Sequence, residues 1–351
     1  MAPMRMRTVL ATLTAGLATI TCLTAAGPTA QAQGHDVVPH ACSPLVNIDG
    51  FSDALDKTVF DGTYVGNLSA LAVDTDGRIA ALSDRSSLFT LDAATKTPAS
   101  VVQLADESGA ALDSEALVID RDGTRLITSE TEPSIRRYTR DGVITGRLPV
   151  PAALQVAPAG RATKNLTFEG LALQPGGRTL VASMEGALSG DSNDLVRLQT
   201  WQRQGLKQEF QLSRQYGYRV DTGLGISEIT ATGDGRLLVL ERGYTSGVGN
   251  TVRLYLADLR GATDTSGIDS LTGQDGIRLV GKTLLADIAD CPSLGATAKQ
   301  PQPNPLLDNI EGLAVTGHAP VGRLRLLLVS DDNQNAAQIT RLYSLTARLP
   351  R

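Results

Sequence analysis

Glu115, Glu169, Glu228 and Glu311 each stand at the head of an apolar run. Asp84, Glu130, Glu185, Glu241 and Asp331 each stand just past the end of a second apolar run that follows. In the first copy of this pattern Ser69 replaces the leading acid. Carboxylates brought together at low dielectric repel one another, so such a set needs counter-charge, from bound cations or from arginines. Arg85 and Arg242 each directly follow an acid of the second set. Either could neutralise its neighbour or offer a cation to an anionic ligand. An acid at a strand end also has a plainer use, accepting the backbone amides of a neighbouring strand. Its return in four of five copies points instead to a shared role.

The elements that must position these residues are repeats. "LSALAVDTDGRIAALSD" (68–84), "SEALVIDRDGTRLITSE" (114–130), "FEGLALQPGGRTLVASME" (168–185), "SEITATGDGRLLVLER" (227–242) and "IEGLAVTGHAPVGRLRLLLVSDD" (310–332) each read as strand, turn, strand. Most of the turns carry Asp-Gly or Gly-Gly, which supply the positive φ of tight hairpins. An alternating third strand follows each, as in "SLFTLD", "SIRRYTR", "LVRLQTW", "TVRLYLADL" and "QITRLYSL". A fourth follows most: "ASVVQLA", "VITGRLPV", "LKQEFQLS" and "RLVGKTLLADI".

Four antiparallel strands per repeat predict an all-β fold, a β-propeller of five blades. Six are possible if the stretch Arg260 to Arg278 hides a degenerate one. The last repeat lacks a fourth strand, and "DKTVFDGTYVG" (56–66) is expected to supply it and close the ring. The innermost strand of every blade lines a central channel, so acids at equivalent strand ends should meet in a ring on one face.

The chain is 351 residues long. Its start, residues 1–32, carries Arg5 and Arg7, then an apolar stretch from Val9 to Ala26, and ends Ala30-Gln31-Ala32. That is the pattern of a secretory signal peptide cleaved after Ala32, and it predicts a secreted, extracellular protein. A retained anchor is the rival reading. Residues 33–55 read as an N-terminal arm and 56–351 as the propeller domain. No later segment has the ~18 apolar residues of a membrane span. Removing the leader takes two arginines and no acid, so the net charge of −5 becomes −7. An acidic chain argues against a nucleic-acid partner. A monomer is expected. Cys42 and Cys291 remain after cleavage; in an oxidising compartment they are expected to pair, the alternative being two separate buried thiols.

Three segments carry a resemblance: "NLTFEGLALQPGGRTLVASMEGAL", "ISEITATGDGRLLVLERGYTSGVGNTVRLYLADL" and "DNIEGLAVTG...LLLVSDDNQN". With "LSALAVDTDGRIAALSD" as a first repeat, the chain resembles the esterase-like activity of phytase family, secreted phytase-like propellers, over almost all of its mature length. The resemblance implies hydrolysis of phosphate or other esters of a small molecule, with calcium as the cofactor. Hard carboxylate oxygens suit that ion. Glu115, Glu130, Glu169, Glu185, Glu228, Glu241, Glu311 and Asp331 are then the metal ligands. Glu169, Glu228 and Glu311 are the catalytic candidates. Arg85, Lys164 and Arg242 would bind phosphate. The chain departs from a dense acidic phytase pattern at Ser69, which puts phytate itself in question.

Other chemistries are poorly supported. There is no G-x-S-x-G elbow for a serine hydrolase. His35 and His40 lie in the arm, and His318 lies in a hairpin turn, so no His/Cys cluster has zinc spacing. No phosphate-binding loop or dinucleotide fingerprint appears. The Gly-rich run Arg242–Thr251 reads as a long hairpin loop over the same face as the acids. The competing class is a non-catalytic propeller whose acids hold structural calcium while its loops bind an extracellular ligand.

Overall fold

The computed structural model describes residues 40–274 and 276–350. The leader, its cleavage point at Ala32 and His35 lie outside the described residues. Strand β1 (Val46–Ser52) comes first, then a small hairpin of β2 (Thr58–Phe60) and β3 (Thr63–Val65). The first full blade is β4 (Leu68–Val73), β5 (Ile79–Ser83), β6 (Ser87–Leu91) and β7 (Pro98–Gln103). The second is β8 (Leu117–Ile119), β9 (Arg125–Ser129), β10 (Ser134–Tyr138) and β11 (Ile144–Arg147). The third is β12 (Phe168–Leu173), β13 (Thr179–Met184), β14 (Leu195–Gln202) and β15 (Gln211–Arg219). The fourth is β16 (Gly225–Ala231), β17 (Leu237–Thr245), β18 (Gly249–Asp258) and β19 (Gly281–Asp287). The fifth holds β20 (Ile310–Ala319), β21 (Arg323–Ser330), β22 (Leu342–Ala347) and, outermost, β1. The protein is a five-bladed β-propeller of four-stranded antiparallel blades.

The closing strand is therefore β1, with Val46 opposite Ala347 and Ser52 opposite Leu342. The stretch 56–66 does not close the ring; it folds on itself as β2–β3. The alternation that marks β1 is present in its residues: Val46 and Ile48 are fully buried, whereas Asn47 and Asp49 face outward. The third blade's outer strand starts at Gln211, later than the expected "LKQEFQLS" at 206–213. The described residues within 260–278 form no sixth blade. The stretch 265–271 runs along the third blade, with Thr265 N–H donating to Gln215 O (2.8 Å) and Leu271 N–H to Asp191 Oδ1 (2.7 Å).

Each blade is pressed between two others, so its middle strands are buried on both faces and read as unbroken apolar runs. Ile79–Ser83 is buried at every position. Five apolar layers fill the five gaps between consecutive blades. Phe168 and Trp201 meet edge-on at 6.1 Å in the layer between the second and third blades, and the Trp201 indole N–H donates to Pro149 O. Burying one such aromatic or leucine contributes roughly 2 kcal/mol.

At the hairpin ends far from the acids, charge pins blade to blade. Asp120, beyond β8, takes Arg203 of the third blade through both oxygens (2.8 and 2.6 Å) and Arg137 at 2.8 Å. Burial works against this carboxylate, but Arg203 and Arg137 hold it below its ordinary range. Asp74 serves the first and second blades likewise, through Arg125 and Arg140. Asp120→Asn leaves two buried guanidiniums without a counter-charge and is expected to cost about 3 kcal/mol. Urea unfolding reads this directly; an unchanged midpoint would show the cluster to be ornamental to stability.

The disulfide Cys42–Cys291 joins the segment before β1 to the turn after β19, across 249 residues of sequence. Ser43 Oγ reinforces it, donating to Leu285 O of β19 at 2.6 Å. Among the described residues, no helix is long and apolar enough to cross a membrane.

Candidate active site at the channel mouth

The inner strands β4, β12 and β20 each carry a one-residue bulge near their starts, at Ser69, Glu169 and Glu311. A bulge re-aims its side chain out of the ladder. Two residues earlier, a backbone carbonyl receives the N–H of the acid that ends the second strand: Asp84 to Asn67, Glu185 to Thr167, Asp331 to Asn309. The second blade repeats this with Glu130 to Asp113, which places Glu115 at the same position. Blades one, two, three and five thus deliver Asp84, Glu115, Glu130, Glu169, Glu185, Glu311 and Asp331 to one end of the channel.

The fourth blade is shifted by one residue. Its bulge falls at Ser227, and Gly225 faces Arg242 across the pair. Ser227 therefore takes the place of the leading acid and Arg242 that of the trailing acid. Glu228, expected in the ring, instead lies one step along the strand. Its Oε1 accepts from Leu171 N–H (3.1 Å) of the third blade and from its own neighbour Ile229 (2.9 Å). A Cβ on Gly170 would lie 2.6 Å from Ile229 N, so only glycine there lets the two inner strands approach this closely. Glu241, also expected in the ring, is fully buried inside the blade. It accepts from Tyr218 Oη (2.7 Å), Asp221 N–H (2.8 Å) and Lys282 Nζ (2.6 Å). Both glutamates keep blades in register; neither joins the carboxylate cluster.

Arg242 is the cation within the cluster. Its Nη1 donates to Asn309 Oδ1 (2.7 Å), and Nη2 lies 3.1 Å from Glu311 and 3.7 Å from Glu185. Burial opposes its charge, but Glu311, Glu185 and Glu169 hold it fully protonated. The other two expected cations sit farther out. Arg85 is 65% exposed and 3.5 Å from Asp84. Lys164 is exposed on the loop before β12. His318 lies at the exposed tip of the β20–β21 hairpin, remote in chain position from the strand ends that bear the acids.

The carboxyls are forced toward neutrality. Burial, reinforced by Glu311, Glu130 and Asp84, pushes Glu115 well up; burial with Glu115, Glu185 and Glu130 does the same to Glu169. Burial and Glu185 raise Glu130 to about 7. Burial takes Glu185 to about 7 despite Arg242, and Asp84 to about 6 despite Arg85. Asp331 rises through burial and Glu311; Glu311 rises through burial against Arg242.

Two groups of three carboxylates have ligand atoms within 4.8 Å of one another: Asp113, Glu115 and Glu130, and Glu130, Glu169 and Glu185. Asp113 was not among the expected ligands; its place two residues before Glu115 is the signal that marks it. Asn67 and Ser69, 1% and 2% exposed, have side-chain polar atoms with no hydrogen-bond partner, as have Asp84 Oδ1 and Arg242 Nε. Asn67 lies beside Asp84 and Ser69 beside Glu311, near enough to favour the charged acids but without hydrogen-bond geometry. Orphaned polar atoms in this number are costly. Their oxygens, with the carboxylates, make an all-oxygen donor set that fits a hard cation and its waters.

A family model for the esterase-like activity of phytase matches residues 63–334, from β3 to just past Asp332. The chain belongs to this phytase-like family. No curated protein matches its sequence significantly. Among solved structures it is similar to the WD40 repeats of RRP9, with a TM-score of 0.40 and 10% identity over 86% of this chain and 98% of that one. It is similar also to the PQQ-bound aldose sugar dehydrogenase of Streptomyces coelicolor, with a TM-score of 0.41 and 14% identity over 86% and 98%. At these scores neither protein's chemistry is carried over. Asp84, Asp113, Glu115, Glu130, Glu169, Glu185, Glu311 and Asp331, with Arg242, all fall inside the matched residues.

Proposed function

We propose that this phytase-like propeller is an exported hydrolase of small-molecule esters, phosphate esters foremost, that works with calcium held in the acid ring. The observation that supports this best is the pair of carboxylate triplets sharing Glu130, set beside a single arginine. Glu115, Glu130, Glu169, Glu185 and Asp331, with Asp113, would hold the cation; Glu228 and Glu241 would not. When bound, the cation supplies positive charge that lowers the pKa of a coordinated water and polarises the ester oxygen.

The chain's own groups do the rest. Arg242 holds the anionic head of the substrate, and the exposed Lys164 and Arg85 draw it in. Glu311 or Glu169 accepts a proton from water as the water oxygen bonds to phosphorus or acyl carbon. The bond to the ester oxygen breaks, and the alcohol leaves with a proton returned by a carboxyl of the ring. The disulfide accords with an oxidising compartment.

The burial of Glu115 and Glu169, 7% and 6% exposed, favours a second reading in which the cation is closed off and structural and the propeller only binds its ligand.

Hydrolysis of generic phosphate and carboxylic esters, in EDTA and after calcium is restored, separates the two. Phosphate release that returns with calcium is expected. Glu169→Gln combined with Glu311→Gln should lower calcium affinity and turnover together, the latter about a hundredfold. Full activity without calcium affinity would overturn the mechanism. Carboxylic-ester turnover indifferent to EDTA would call for a nucleophile instead. No turnover, with calcium raising only the Tm, would favour the binding propeller.

A further inference from the structure

A cleft of about 460 Å³ opens between the third and fourth blades and ends at the acid ring. Its volume is that of a small-molecule site. Leu166 and Glu185 line it from the third blade; Leu224, Arg242 and Tyr244 line it from the fourth. Leu166 is 37% exposed and Tyr244 is 55% exposed, so both offer apolar surface to solvent next to a strongly charged centre. Glycine keeps the walls close: a Cβ on Gly225 of the fourth blade would lie 2.9 Å from Glu185 Cγ of the third. Arg242 is the one cation among the described residues lining the cleft. Lys164 is adjacent in sequence to the lining residue Thr163 but does not itself line the cleft.

We propose that this cleft takes the organic part of the substrate, and that the substrate is a monoester joining one anionic head to a flat, apolar, aryl-like group. The proposal rests on the ester-hydrolase reading of the ring and narrows its substrate class. The single guanidinium at the end of the cleft matches one oxyanion. A second phosphate on the organic part would lie between Leu166 and Tyr244, away from the ring, where the described lining carries no further cation. An aryl group there covers both exposed side chains and stacks on the Tyr244 ring.

Phosphonates test this because their P–C bond is not hydrolysed. Titration calorimetry with the calcium-loaded protein should show phenylphosphonate binding about tenfold more tightly than methylphosphonate. Benzene-1,3-diphosphonate, with a second head, should bind more weakly than phenylphosphonate. Tyr244→Ala and Leu166→Ala should each remove most of the phenyl advantage, and Tyr244→Phe should keep it. Equal affinities for the two monophosphonates, tighter binding of the diphosphonate, or no binding of any of them would overturn the proposal. Turnover of phenyl phosphate is followed in parallel. If the phenyl preference holds without turnover, the cleft assignment stands and the hydrolase reading falls; turnover without the preference gives the reverse.

Discussion

Stripped of divalent cations, the protein is expected to lose Tm steadily as the pH rises from 5 to 8, by on the order of 5–10 °C. The direction follows from the ring. Asp84, Glu130 and Glu185 have folded pKa values near 6, 7 and 7, and Glu115, Glu169 and Asp331 are also raised. A carboxyl whose pKa is higher folded than unfolded gives the folded state the extra proton. Its favourable contribution is therefore complete below the unfolded value, about 4, and is lost as the pH climbs through the folded value. Asp120, Asp74 and Asp221 are depressed by their arginine and lysine partners, and their contribution is lost only as the pH falls toward the acid range, which is why the comparison begins at 5.

Calcium should reverse the loss, and by more at pH 8 than at pH 5, because protons and cations compete for the same oxygens. At a hundred times its Kd the ion contributes about 2.7 kcal/mol. Differential scanning fluorimetry across the range, with EDTA and with calcium, measures both effects. A metal-free Tm that is flat or rising, or a calcium increment equal at both ends, would mean that the carboxylates do not crowd as described.

Cys42→Ser together with Cys291→Ser should lower the Tm by roughly 10 °C. A loop of 249 residues is closed by this bond, and on the chain-entropy account its removal returns about 5 kcal/mol of freedom to the unfolded chain. The bond also fixes the segment leading into β1 against the fourth blade, so its loss loosens the strand that completes the fifth. Hydrogen exchange should show β1 and β22 losing protection before the other blades do. A Tm within two degrees or so of the oxidised protein's would show that strand pairing alone secures the closure.

The blades were legible because four features coincide in each repeat: two apolar runs, a Gly turn between them, and an alternating third strand. The ring was legible only in part. Reading down the acids aligned Glu228 with Glu169 and Glu311, and Glu241 with Glu185. The apolar spacing says otherwise. Leu68–Leu71, Phe168–Leu171 and Ile310–Leu313 flank a bulged residue and then a small one. In the fourth blade the matching pair is Ile226–Ile229, which puts Ser227 at the bulge and Glu228 where the others have Ala70, Gly170 and Gly312. Weighting the apolar frame above the acids would have moved Arg242 into the ring from the sequence. Asp113 shows the converse limit: a carboxylate outside the apolar strand pattern reaches the cluster, marked only by its place two residues before Glu115, where the other blades carry Asn67, Thr167 and Asn309. The closing strand was missed for a third reason. Val46–Ser52 pairs with residues near the far end of the chain, and its register breaks between Ile48 and Gly50, so only half of its alternation shows.

That pairing has a consequence for how the molecule comes to be made. β1 emerges among the first described residues and β22 among the last, so the earliest strand must wait, unpaired, for nearly the whole chain to appear. Contacts of such separation form slowly. Until they form, a row of four blades presents two raw apolar faces with nothing to cover them, a state prone to stick to others of its kind. A chain built this way becomes a closed ring only once its last strand is free to pair with its first described one.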